Sequence, residues 1–210
     1  MPDLERFAAV RVARRLAVMA VVTATLVAGC ATPAPVRFYT LQAPAPAATI
    51  PGQSFEFALQ AVRVPPHVDV LPLLIRSGSS ALTVVEGHQW GAPLALEWRT
   101  GLSAALTTPH GGIDLARAGV ALAPDVPVIR VDVQRFDSLA GEAVQVAGVW
   151  SLSQAASKVT LTCAFSLSTP VGPLTADIAT GHQRLVADLA LQMAGTLTQL
   201  RSSGNARCPG

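Results

Sequence analysis

Between Val128 and Leu167, apolar and polar residues alternate through three successive segments, and few folds accept such a stretch. In the first, Ile129, Val131 and Val133 alternate with Arg130, Asp132 and Gln134. A turn at Asp137 to Glu142 leads into the second, Ala143 to Leu152, with Val144, Val146, Trp150 and Leu152 on one side. In the third, Val159, Leu161, Cys163, Phe165 and Leu167 face one way, and Lys158, Thr160, Thr162 and Ser166 the other. A repeat of two is the side-chain repeat of a strand. Three such strands in succession predict an antiparallel meander with one buried face.

The buried face needs a cover, and two segments have helical spacing. After Pro93, which suits the first turn of a helix, Leu94, Trp98, Leu102, Ala105 and Leu106 fall on one face until Thr108-Pro109. From about Thr175 to Leu200, Ile178, Leu185, Val186, Leu189, Met193, Leu197 and Leu200 form a second stripe. Ahead of these, Phe55, Phe57, Leu59 and Ala61 predict a strand to about Val64, and Leu73–Arg76 with Leu82–Val85 a short hairpin. The fold class expected is α+β, an antiparallel sheet with two amphipathic helices packed on one face, over residues 55–202.

The amino terminus reads as a leader. Arg6, Arg11, Arg14 and Arg15 precede an apolar run from Leu16 to Val27, too short for the roughly 20 residues of a spanning helix. Val27-Ala28-Gly29-Cys30 resembles a bacterial lipobox, with small residues before the cut and a thiol at the new terminus. This predicts a signal peptide over 1–29, lipidation of Cys30 and, with Ala31 rather than aspartate following, the periplasmic face of the outer membrane. Residues 30–54, with Pro33, Pro35, Pro44, Pro46 and Pro51, read as a tether that holds the domain off the lipid surface. Residues 203–210 read as a flexible tail.

Charge and cysteines narrow the function. The leader holds four of the 15 basic residues and two of the 13 acidic ones, which leaves 11 of each in the mature chain. No basic stripe remains to bind nucleic acid. With Cys30 acylated, Cys163 and Cys208 are left, and an oxidising periplasm permits a disulfide between them; Cys163 lies at an inward strand position and Cys208 in the tail.

Catalytic patterns are sparse. Gly101-Leu102-Ser103-Ala104-Ala105 has the glycine and serine of a nucleophile motif but lies mid-helix with no strand feeding it. His67, His88, His110 and His182 show no metal-ligand spacing; His182 falls near the apolar stripe of the last helix, as an edge-of-core residue. Gly78 and Gly111-Gly112 lack the lysine of a phosphate loop. The reading is a non-enzymatic protein without metal or other cofactor.

Taken in order, the lipobox, Phe38-Tyr39-Thr40-Leu41, Val64-Pro65, Gln89-Trp90-Gly91-Ala92-Pro93-Leu94, Arg135-Phe136, Gly148-Val149-Trp150-Ser151-Leu152 and the closing helix resemble the ABC-type transport auxiliary lipoprotein (PqiC-like) family. The resemblance implies an auxiliary subunit of an MCE-type lipid-transport system that docks or caps the assembly at the outer membrane, with an MCE-domain protein as partner and self-association as an added expectation. Tyr39 then starts the folded domain as an edge strand or staples the linker, and Trp90 packs the first helix onto the sheet or meets the partner. Leu73, Leu74 and Ile75 belong to an unusually apolar loop that is either an interaction patch or an extra strand. The polar face of Thr160, Thr162 and Ser166 is the other candidate surface. The alternative function is a lipoprotein chaperone or plug for an outer-membrane barrel; a lipid hydrolase lacks a nucleophile and base.

Overall fold

The computed structural model describes residues 35–44, 54–108 and 110–209. In chain order they form β1 (Arg37–Tyr39), β2 (Phe55–Leu59), β3 (Pro72–Arg76), β4 (Leu82–Trp90), α1 (Leu94–Thr107), β5 (Gly112–Asp114), α2 (Leu115–Ala118), β6 (Val128–Leu139), β7 (Ala143–Gln154), β8 (Val159–Pro170) and α3 (Thr175–Ser203). The fold is α+β. Its strands divide into a five-stranded sheet, ordered β5-β2-β6-β7-β8, and a three-stranded sheet, ordered β1-β4-β3.

The meander β6-β7-β8 is antiparallel throughout. Val144, Val146, Trp150, Leu152, Cys163 and Phe165 point into the core, and α3 covers them with Ile178, Leu185, Val186, Leu189, Met193 and Leu197. The single antiparallel sheet expected from alternation needs correcting in two respects. β2 runs parallel to both β5 and β6, because the chain between them crosses over through the hairpin and α1. The β3-β4 hairpin builds a separate sheet with β1, which pairs with β4 in parallel. Alternation records which face is buried and carries no information on strand direction.

One irregularity positions later features. The pairing of β6 with β7 shifts between Val133 and Arg135, so Gln134 is an extra residue. The inward series therefore runs Ile129, Val131, Val133 and then Phe136 and Ser138. Opposite the bulge stands Gly148, where a Cβ would collide with the Asp132 carbonyl and lie 3.0 Å from Val133 Cα. The glycine is required by this close backbone approach.

The bulge aims Phe136 at a junction of all the main layers. Its ring stacks on His182 of α3 with centroids 4.0 Å apart and planes 14° from parallel. Trp90 at the end of β4 meets Phe136 and His182 edge-on, each at 6.2 Å, and Trp98 of α1 meets Phe136 at 6.4 Å. On the other face of β6, the Arg76 Nε of β3 donates to Asp137 Oδ1 at 2.6 Å, which clamps the small sheet to the large one.

Two boundaries also differ from expectation. Within the presumed tether, Arg37–Tyr39 forms a strand and Leu41 is a core residue, because β4 supplies a backbone partner that composition cannot reveal. The tail is likewise docked: Ala206 is buried, Thr196 Oγ1 donates to the Arg207 carbonyl, and Cys208 is disulfide-bonded to Cys163 with Cα atoms 5.4 Å apart. The bridge closes a loop of 45 residues that contains all of α3. Cys208→Ala is expected to lower the unfolding free energy by about 2–4 kcal/mol; urea denaturation of the oxidised protein and the variant measures it, and equal midpoints would show that the bridge contributes nothing.

Candidate functional site

The chain enters the domain at one end of the small sheet, where the hydrogen-bonding is dense for so short a strand. Gly91 N–H donates to the Tyr39 carbonyl at 2.7 Å, and Gln183 Nε2 to the Thr40 carbonyl at 2.8 Å. Glu97, in the first turn of α1, accepts from Thr40 Oγ1 at 2.7 Å and from Leu41 N–H at 2.8 Å through one buried carboxylate oxygen. A carboxylate in the first turn also suits the positive end of the helix. Behind this clamp, α1 lies so close that a Cβ at Gly101 would stand 2.9 Å from the Leu41 carbonyl oxygen. Tyr39 hydroxyl and His88 Nδ1 share a hydrogen bond of 2.8 Å across the β1-β4 pair, with their rings stacked.

Around this pinned segment the surface is apolar. Phe38 is 67% exposed and Val36 45%, while Leu71 and Leu96 expose 44% and 53%. Backbone bonds place most of them about the last residues of β4: Phe38 and Pro72 both pair with Gln89, Trp90 N–H donates to the Leu71 carbonyl, and Asp69 caps α1 by accepting from Ala95 N–H, while Val36 precedes the Arg37–His88 pair. Val70, also exposed, lies between Asp69 and Leu71.

The other predicted contact residues divide. Leu73 and Trp90 are core, so neither offers its side chain to a partner; Leu73 packs inward from β3, and Trp90 is held in the aromatic junction. Leu74, Ile75 and Tyr39 are half-buried against that core. The apolar loop is thus an extra strand whose leading residues, Val70 and Leu71, stay exposed. Thr160, Thr162 and Ser166 are exposed on β8 as expected. Cys30 and the preceding Val27, Ala28 and Gly29 lie outside the described residues.

Three buried polar groups resemble catalytic parts, and their geometry assigns them to structure. Ser103 Oγ donates to Asp114 Oδ2 at 2.8 Å, and Arg99 binds that carboxylate at the same distance. The serine is wholly buried. Ser138 and His182 share a 2.8 Å hydrogen bond through Nε2, a nucleophile-and-base distance. Both are closed to solvent, and His182 Nδ1 has no partner to orient it. Spacing placed His182 at the edge of the core, whereas it lies at the centre; Ser138 had no signal at all, since only the bulge turns it inward. Asp137 was read as a turn residue, but β6 runs on to Leu139, and the residue bridges Arg76 and Arg135. Burial alone would raise its pKa, yet the hydrogen bonds and charges of the two arginines hold the carboxyl below its ordinary value.

Among the described residues, no group of three or more His, Cys, Asp or Glu side chains could hold a metal ion, and no helix is long and apolar enough to cross a membrane. An apolar groove between Leu41, Pro44, Gly101, Ala105 and Val186 has about 220 Å³. Ordinary ligand pockets hold about 300–1,000 Å³.

The chain belongs to the ABC-type transport auxiliary lipoprotein component family, whose model matches residues 39–194. It is therefore an auxiliary component of ABC-type transport and a lipoprotein of the cell envelope. No curated protein matches the sequence. Among solved structures, an uncharacterized protein shares 17% identity with a TM-score of 0.63, covering 77% of this chain and 98% of its own. A Xanthomonas campestris protein shares 16% identity with a TM-score of 0.60, covering 80% of this chain and 98% of its own. At these identities the likeness shows the shared fold.

Removing the Glu97 carboxylate leaves Leu41 N–H buried without an acceptor. Glu97→Ala is expected to cost about 1–3 kcal/mol and to speed amide exchange at residues 38–42 ahead of the meander; exchange mass spectrometry reads both, and unchanged protection at Leu41 would contradict the clamp. A second outcome concerns acid. Burial, offset in part by the Asp137 charge, pushes the His182 pKa from 6.5 to about 3. The unfolded chain then binds the proton more readily, so the contribution of His182 is complete above pH 6.5 and is lost as pH falls from 6.5 towards 3. Between pH 7 and pH 4 the loss is about 3 kcal/mol. Urea titrations at both values should show it in the wild type and much less of it in His182→Gln.

Proposed function

We propose that this protein is a non-catalytic subunit of an ABC/MCE-type intermembrane lipid-transport system, anchored through lipidated Cys30 at the periplasmic face of the outer membrane. There it docks or caps the periplasmic assembly, with an MCE-domain protein as its partner. The observation that carries the reading is the family match over residues 39–194, which joins the domain to ABC-type transport. The leader supplies the anchor: Val27-Ala28-Gly29-Cys30 fits lipoprotein processing, and Ala31 is compatible with sorting to the outer membrane.

The geometry fits a docking subunit better than a carrier. The apolar groove beside Leu41 and Gly101 is smaller than an ordinary ligand pocket, the opening of about 470 Å³ lies beside the charged side chains of Arg63, Arg130 and Asp132, and the serine–histidine pair is sealed. What the domain offers is surface, including the uncharged outer face of β8 and the opening on the polar sheet face beside Arg63, Arg130 and Asp132.

Affinity purification from detergent-solubilised envelopes, with a tag after Gly210 and Cys30→Ala as control, tests the proposal. The wild type is expected to recover an MCE-domain protein, and the control to recover much less of it. Recovery of a barrel protein alone, or of nothing after crosslinking, would overturn the transport role.

A further inference from the structure

The end of the domain at which the chain enters carries an apolar rim, and its position relative to the anchor says what covers it. Val36 lies six positions after Cys30, with five residues between them. A polypeptide spans at most about 3.3–3.6 Å per residue, so Val36 can lie no more than about 20 Å from the lipidated residue. The clamp of Glu97 on Thr40 and Leu41 prevents the domain from gaining reach by paying out more chain. The long spacer suggested by the prolines is thereby reduced to about six residues.

That distance leaves no room for a further folded domain between this end and the leaflet, since even a 100-residue domain has a radius of gyration near 13 Å. Val36 and Phe38 flank Arg37 where the chain enters, and Val70, Leu71 and Leu96 lie about the adjoining end of β4 and the start of α1, all exposed. Arg37, also exposed, lies between Val36 and Phe38 in the chain, and a cation close to the leaflet is attracted to anionic headgroups. The acids near this end are Asp69, which caps α1, and Glu86, exposed on β4 two residues before His88. Exposed apolar side chains beside a basic residue fit the headgroup–acyl boundary, where apolar groups enter the chains and charges remain with the phosphates.

We infer that Val36, Phe38, Val70, Leu71 and Leu96 form a foot that seats the domain in the headgroup region of the leaflet holding its anchor. The occupant of this surface is phospholipid, and the inference rests on the reading that Cys30 is acylated. It adds an orientation: the entry end faces the membrane, so β8 and the polar sheet face are left for protein partners. A single set of acyl chains would let the domain swivel freely, whereas an anchor and a foot together hold it in one attitude.

The test places the photocrosslinking residue p-benzoylphenylalanine at Phe38 in the full-length protein, processed in cells and reconstituted in vesicles of phosphatidylethanolamine and phosphatidylglycerol. The same residue at Leu191, exposed on α3, serves as control. Position 38 is expected to label phospholipid at least about fivefold more than position 191, as contact with the acyl boundary requires. Equal labelling, or adducts of position 38 with a second copy or another protein in place of lipid, overturns the foot. Intact mass of the same preparation reads acylation of Cys30 separately. An unacylated protein that still labels lipid through position 38 would sink the anchor and keep the foot, and an acylated one that does not would do the reverse. Phe38 lies outside the core, so an unchanged melting temperature of Phe38→Ser confirms that the position can be altered without unfolding the domain.

Discussion

The stacking of Phe136 on His182, with Trp90 and Trp98 edge-on around the pair, is the contact on which the architecture turns. Each ring comes from a different element, so this one cluster ties β6 of the large sheet, β4 of the small sheet, α1 and α3 together. Aromatic rings bury large apolar areas and prefer these stacked and edge-on geometries. The apolar face of a sheet and the apolar stripe of a helix each need another layer to cover them. In the stack the imidazole makes one hydrogen bond, with Ser138 through Nε2, and leaves Nδ1 without a partner; as a cation it would be strongly disfavoured there.

Polar groups in the interior hold elements that apolar packing would leave free to slide. Asp137 joins the two sheets through Arg76, Asp114 joins α1 to β5 through Ser103 and Arg99, and Glu97 fastens the entry strand to α1. Each carboxylate has at least two donors, as burial of a charge requires. The pattern places the fixed points at the sheet junction and the chain entry. The exposed surface includes the apolar side chains around β1 and the start of α1 and the uncharged outer face of β8.

Much of this was legible in the residues themselves. The inward series of β7 and β8 matched the alternation residue for residue, because those strands have one buried face and an unbroken register. The stripe of α3 was equally plain. Three features were not. β1 lies within a proline-rich stretch and owes its existence to backbone bonds with β4, some 50 residues away. The bulge at Gln134 shifts the register by one, and its only trace in the sequence is Gly148. Ser138 and His182 meet solely because of that shift, so no spacing rule could pair them.

The sequence by itself determined the longer strands and the two long helices, which side of each is apolar, and that a cysteine in a lipobox-like setting precedes the domain. It could do so because periodicity and short-range chemistry are local properties. Only the tertiary structure decided the division into two sheets, the parallel entry of β2, the docking of the tail and the start of the fold at β1. These depend on which distant backbone finds which partner, and hydrogen bonds between strands depend on a register that no local pattern records.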